Sequence, residues 1–325
     1  MKTRGCTGSV VLYAFIGVCA SGQTLWREPK PATIADWTWG PGGQEMVPQP
    51  PFQFVKENFG GTNPKVEVRD AAGHTWTVKF GSEVKSDTFA PRLLNAVGYA
   101  AEIDFFVASG TISGVHDLKR AKHFVSKNGS FQNARFKLHQ HGDGSAENRA
   151  WSWVDNPFVG SHQLNGLKIL VMLASNWDTK DSREGESSNN EIIHPALASN
   201  STAWYAVTDW GASFGKTGGF FTRDRWDWIA YHAQTPKFVR LAADGKLDWG
   251  FQGKHGRDIS AGVGLDDVRW LLPYLSRISI KDLEAGLTAS GASVPVAEVF
   301  ARCLRDRIAQ LQSVAQSSNV QQAAK

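Results

Sequence analysis

Three short stretches carry side chains that could handle a phosphoryl group. In Trp76-Thr77-Val78-Lys79-Phe80 a strand would place Thr75, Thr77 and Lys79 on one face and Trp76, Val78 and Phe80 on the other. A lysine on a polar inner face can meet phosphate oxygens as a point charge, although a lone lysine also suits a solvated surface. The second stretch is Asn176-Trp177-Asp178-Thr179-Lys180-Asp181, followed by Asn189 and Asn190. An aspartate fixed at the end of a rigid helix can orient a hydroxyl and take its proton. A lysine two residues on can meet the charge growing on a transferred phosphoryl group, and the amide oxygen of Asn189 or Asn190 can ligate Mg²⁺. The third is Val207-Thr208-Asp209-Trp210-Gly211, a carboxylate leaving a strand with glycine behind it, open to a metal. Taken singly, the second stretch is also a polar helix-capping loop and the third an Asp/Gly turn.

The elements around these residues must hold them. Lys65–Arg69 and His74–Phe80 alternate with period two about an Asp70-Ala71-Ala72-Gly73 turn, which predicts a hairpin. A helix is expected over Thr88–Val97, closed by Gly98 and started late because Pro91 suits only a first turn. Further strands are expected at His123–Ser126, Ala134–Leu138 and Trp204–Thr208. Ser161–Ala174 is apolar on nearly every face, which predicts a buried helix directly before Asp178. Helices are also predicted at Leu265–Leu275, Ile280–Ala289 and Val296–Leu311. Strands first and helices later argue an α+β chain in two lobes. The expected divisions are a leader at 1–22, a Pro/Trp-rich irregular arm at 23–51, a β-rich lobe at 52–148, a helical lobe at 149–312 and a frayed polar tail at 313–325.

Composition limits what such a chain can be. With 325 residues, 42% of them hydrophobic, it can bury a core, which excludes wholesale disorder. The 35 Lys/Arg are matched by 31 Asp/Glu, and a net +4 gives no basic patch for nucleic acid. Lys2 and Arg4 precede the apolar run Val10–Ala20 and small residues at Ala20-Ser21-Gly22, the pattern of a secretory signal peptide. Export to the periplasm or medium is the expected location, and no later run is long enough for a transmembrane span. Loss of the leader removes Cys6 and Cys19 and leaves Cys303 alone, so no internal disulfide is expected.

The order of the pieces (strand lysine, buried helix, Asp-x-Lys with a later Asn, strand then Asp-x-Gly) resembles the protein-kinase-like fold. The likeness runs over about Phe52–Leu311 and is nearest to the atypical branches: secretory-pathway, spore-coat and HipA-like kinases, in an exported, bacterial-type form. It implies a small β-rich N-lobe, a helical C-lobe, Mg²⁺-ATP as cofactor and a hydroxyl-bearing acceptor. Lys79 resembles the phosphate-anchoring lysine, Asp178 and Lys180 the catalytic-loop pair, Asn189 or Asn190 the metal-binding asparagine, and Asp209 the metal-binding aspartate. Gly60 and Gly61 stand where a glycine-rich phosphate cover would lie, without a full Gly-x-Gly-x-x-Gly. Asp87 or Glu83 stands for the helix carboxylate that pairs with the strand lysine. Trp177 replaces the family's frequent arginine, and Arg183–Ser188 lengthens the interval before the Asn pair.

Other groupings point elsewhere. His139, His141 and Asp143 could hold a metal, although a surface His pair is the plainer reading. Gly-x-Ser-x-Gly is absent, so no serine nucleophile elbow is indicated. Trp151/Trp153 and Trp226/Trp228 would suit a Trp-rich surface for a protein or glycan partner if exposed, and core packing if not. Arg302, Arg305 and Arg307 read as a solvated basic helix face. The competing function is a non-catalytic, pseudokinase-like binding or envelope-associated module on the same scaffold.

Overall fold

A computed structural model describes residues 23–139, 150–193, 203–219 and 221–323, with side chains described as far as residue 317. The leader at 1–22, His141 and Asp143 lie outside the described residues. The chain is α+β. It opens with β1 (Gln23–Thr24) and α1 (Ile34–Trp39), then β2 (Phe52–Asn58), β3 (Lys65–Arg69), β4 (Thr75–Phe80), α2 (Val84–Ala96), β5 (Asp104–Ser113) and β6 (Ser130–Leu138). There follow α3 (His162–Leu173), β7 (Asn190–Ile193), β8 (Ala203–Val207), α4 (Trp228–Gln234), β9 (Val239–Leu241) and β10 (Leu247–Trp249). Four helices end the chain: α5 (Gly256–Ser260), α6 (Leu265–Leu275), α7 (Ile280–Ala289) and α8 (Val294–Ala323).

Five strands close into a barrel in the order β2-β3-β4-β6-β5, antiparallel except where β2 meets β5. Alternation along β4 puts Trp76, Val78 and Phe80 into the barrel's apolar core with Val66, Val68, Phe131 and Phe136. The opposite face of the barrel is polar and is covered by α2. A second core joins α2 and α3 to α6, α7 and α8. The short sheet β1-β8-β7 lies at its edge, with β7 and β8 antiparallel.

The hairpin turn follows its sequence: Gly73 N–H donates to Asp70 O at 3.0 Å and Gly73 sits at φ +86°. Helix α2 starts four residues before the expected Thr88 and carries Pro91 in its interior. Proline removes one helical hydrogen bond, yet the first turn is anchored by tertiary contacts. Ser86 Oγ donates to Gly211 O, and Asp87 is built into an ion-pair network. Gly98 ends α2 as expected, at φ +92°, with Tyr99 N–H donating back to Leu94 O.

Three expectations are corrected. Residues 123–126 do not form a strand. The Glu57 carboxylate accepts the N–H groups of Lys119, Arg120 and Ala121, each at 2.7 Å, and this fixes a 3₁₀ turn at Ala121–His123. The 23–51 arm is not irregular throughout. It holds α1, whose Thr33/Asp36 capping box starts a helix with Trp37 buried against Phe89. Arg92 Nε and Nη2 close that helix by donating to Trp37 O and Thr38 O. The segment after Ser313 is helical through Ala323, because Val314 and Ala315 are buried in the second core.

Candidate active site

The polar face of the barrel poses an electrostatic problem. Register places Lys65, Lys79 and Arg135 side by side on β3, β4 and β6, and like charges directly opposite one another repel. Helix α2 supplies the first answer. Asp87, buried on its inner face, accepts Lys79 Nζ at 2.7 Å and Arg135 Nη1 at 3.1 Å through one oxygen. Its other oxygen accepts the Trp210 N–H at 3.0 Å. Glu83, just before the helix, receives Lys79 Nζ at 2.5 Å, Asn63 Nδ2 at 2.5 Å and the Arg225 guanidinium. Both carboxylates left open by the sequence therefore pair with Lys79. Arg135 is further held by Asp104 at 3.0 Å and Glu102 at 2.9 Å, and Glu102 also takes Lys137 at 2.7 Å.

Asp209 joins this face from the end of β8. The Gly211 N–H donates to its Oδ1 at 3.0 Å. Gly211 has no room for a side chain, since a Cβ would stand 2.6 Å from the Glu83 carboxylate. Burial acts to raise the Asp209 pKa, but Lys79, the Gly211 N–H, Arg135 and Lys180 outweigh it and hold the carboxyl at about 2. Burial likewise acts against the Lys79 charge, and Asp87, Asp209 and Glu83 overcome it, so this lysine stays protonated well beyond its usual range. Burial pushes Asp104 up to about 7 against the pull of Arg135.

The Asp178 loop is laced to the Asp209 loop. Ser161 caps α3 and the helix is buried from Leu164 to Leu173, so its end is rigid. Ser175, at φ +56°, then turns the chain. Asn176 Nδ2 donates to Asp209 O at 3.1 Å while its Oδ1 receives the Asp178 N–H at 3.4 Å. Backbone bonds from Trp177 N–H to Ala212 O and from Phe214 N–H to Ala174 O complete the lacing. Asp178 and Lys180 form a half-exposed ion pair at 2.9 Å. Asn189 Nδ2 donates to Asp178 O at 2.5 Å, which turns this amide toward the loop. Asn190 is wholly buried, and its amide has no partner among the described residues.

Gly60 and Gly61 lie in the exposed turn between β2 and β3. Its carbonyls at Phe59, Gly61 and Thr62 are gathered by the Arg120 guanidinium. The structure thus brings Lys79, Asp87 and Asp209 together, ties Asp178 and Asn189 to them through Asn176, and sets the glycine turn beside Glu83 through Asn63. Asn190 sits in the interior, paired with Val207 just before Asp209.

Several residues of the site were not singled out from sequence. Arg135, Lys137, Glu102, Asp104 and Lys65 lie on the same barrel face, and Arg225 joins it from a loop. Only the period-two pattern of β6 hinted at Arg135. Trp177 is a platform: the Arg223 and Arg225 guanidiniums lie 4.1 and 5.1 Å from its ring centroid, and its indole N–H donates to Asp224 O. A second cluster, Asp181 with Glu184 and His255, is consumed by its own bonds. Asp181 accepts from Arg183, Ser152 and the Trp153 N–H.

The Trp-rich surface is corrected. Of the 13 tryptophans only Trp228 is exposed, while Trp151 and Trp153 pack edge-on in the core. Of the two pairs, Trp151/Trp153 fills the core, while Trp226 is half-buried and Trp228 exposed. Arg307 is no solvated residue either. It is buried, donates to Leu173 O and Ser175 Oγ, and lies 3.7 Å from the Tyr231 ring centroid. Among the described residues no helix is long and apolar enough to cross a membrane. No protein-family model, curated protein or solved structure matches the chain.

Proposed function

We propose that this chain is an exported, two-lobed kinase-like phosphotransferase that binds a Mg²⁺-nucleotide and passes a phosphoryl group to a hydroxyl acceptor. One observation carries the reading. A buried lysine from the barrel, a carboxylate from α2 and a carboxylate following β8, far apart in sequence, meet at one seam, where Asp87 bonds both Lys79 Nζ and the Trp210 N–H. Such convergence of paired and perturbed charges at one seam is a frequent mark of a functional site.

The donor set suits a hard cation. Asp209 offers an ionised, half-buried carboxylate, and Asn189 an amide oxygen turned away from its own hydrogen bond to Asp178. Magnesium bound there would neutralise charge on the phosphates. Lys79 would hold phosphate oxygens while Asp87 and Glu83 fix its reach. Asp178 would accept the proton of the acceptor hydroxyl. Lys180, paired with it at 2.9 Å, would meet the charge of the group in transfer. The export half of the proposal rests on the leader sequence.

The test is turnover of radiolabelled ATP with Mg²⁺ by the purified chain, beside Asp209→Ala and Asp178→Ala. Loss of either carboxylate should lower phosphate transfer or hydrolysis by about a hundredfold or more. Equal rates in the three proteins would end the enzyme reading. Saturable Mg²⁺-ATP binding without turnover would leave the non-catalytic binding module.

A further inference from the structure

Lys65 stands apart from the other cations around this seam. Lys79, Arg135, Lys137, Lys180 and Arg225 each have a carboxylate at ion-pairing distance. Among the described residues, no carboxylate pairs with Lys65, although it is half-buried on β3 beside Lys79. Three cations abreast on neighbouring strands are unfavourable, and the anions of α2 and β5 relieve only two of them. The ammonium is desolvated and faces further positive charge. Burial, then Lys79, Lys137 and Arg135, pull its pKa down against the opposing pull of Asp209. A charge left in that state is stabilised by whatever anion completes the set.

The position of that anion is bounded. A Cβ on Gly61 would stand 3.3 Å from Lys65 Nζ, so the ammonium lies directly under the glycine turn. The carbonyls of that turn are directed to Arg120, while the N–H groups of Gly61, Thr62 and Asn63 have no acceptor among the described residues. An unneutralised ammonium is the kind of group that holds phosphate oxygens by charge-assisted hydrogen bonds, and N–H groups left free in a turn can add to it.

We infer that Lys65 is a second phosphate-holding residue, which beside Lys79 and beneath the 60–63 turn binds a polyphosphate chain. The inference deepens the nucleotide reading and rests on it for the identity of the ligand, but the phosphate contact itself can be read separately. Lys79 is engaged by two carboxylates and is aimed by them. Lys65 is unengaged and supplies the charge that a diphosphate or triphosphate needs in excess of Lys79.

The experiment titrates the full chain, and its Lys65→Met and Lys65→Arg variants, with Mg²⁺-ATP, inorganic tripolyphosphate and adenosine, read by calorimetry. Unliganded melting temperatures serve as the folding control. The expected result is affinity for Mg²⁺-ATP and tripolyphosphate reduced about tenfold or more in Lys65→Met, the loss typical of a charge-assisted hydrogen bond. Lys65→Arg should regain most of it, and any adenosine affinity should be unchanged. Equal Mg²⁺-ATP affinity in wild type and Lys65→Met overturns the role of Lys65 and leaves the nucleotide reading standing. Lys65-dependent tripolyphosphate binding without nucleotide binding does the reverse. Absence of binding by either ligand overturns both.

Discussion

Asp87→Asn is the sharpest perturbation of the charged seam. The side chain has two oxygens and three donors: Lys79 Nζ at 2.7 Å, Arg135 Nη1 at 3.1 Å and the Trp210 N–H at 3.0 Å. An asparagine has one acceptor oxygen, so its amide NH₂ must confront at least one of these donors. Each charge-assisted hydrogen bond contributes about 1.5–3 kcal/mol, and stripping a buried ion of its partner costs about 3–5 kcal/mol. Lys79 keeps Glu83 at 2.5 Å and Arg135 keeps Asp104 and Glu102, so the loss falls short of two full bonds. A destabilisation of about 3 kcal/mol is expected from urea unfolding monitored by tryptophan fluorescence. Because Lys79 and Asp87 act together, Asp87→Asn on a Lys79→Met background should cost less by about 1–2 kcal/mol. A single variant within about 0.5 kcal/mol of wild type, or a strictly additive double variant, would refute the buried network.

Other perturbations test neighbouring parts. Burial tends to raise Asp181, but Arg183 and the Trp153 N–H hold it down at about 2, below an unfolded value near 4. Its ionised form therefore adds about 2 kcal/mol of stability above pH 5, lost as pH falls from about 4 through 2; the pH-dependent gap between wild type and Asp181→Asn in urea unfolding should close over that window. Arg307→Met should cost about 2 kcal/mol or more by the same measure, since it strands Ser175 Oγ in the core and leaves Leu173 O with the Tyr231 hydroxyl as its remaining donor, whereas a solvated arginine would cost almost nothing. Gly98→Ala should cost at least about 1–2 kcal/mol in a thermal melt, because φ is +92° and the new Cβ would lie 2.1 Å from Arg27 O.

Where one period dominates a segment, the element was legible. Lys65–Arg69, Leu265–Leu275 and Ile280–Ala289 are observed over the residues that the pattern delimits, and α3 follows from its all-round apolar surface and Ser161. The strand β5 was not, because Asp104–Ser113 mixes Phe105-Phe106-Val107 with Gly110 and shows no clean alternation. Local rules failed where distant groups act on the backbone: Glu57 caps a turn where apolar residues suggested a strand, and the anchored first turn of α2 offsets Pro91. In the cleft, the chemistry-bearing types could be read as short motifs, and Lys79, Asp178 and Asp209 were found that way. Asp87 and Glu83, the carboxylates that pair with Lys79, were also legible, but the further charges on β5 and β6, Asp104, Arg135 and Lys137, were not, since register between distant strands is absent from any local pattern. Lys65 looked like one alternating strand residue among others until Lys79 was placed opposite it.

Joint action of Lys79 and a cation at Asp209 on one polyphosphate is read most directly by calorimetric titration with a non-hydrolysable ATP analogue, with Mg²⁺ and then with EDTA. Saturable binding at one site per chain is expected, weakened about tenfold or more by EDTA and by Asp209→Asn, and again by Lys79→Met. No heat of binding at millimolar nucleotide with Mg²⁺, or an affinity indifferent to chelator and both substitutions, would contradict it.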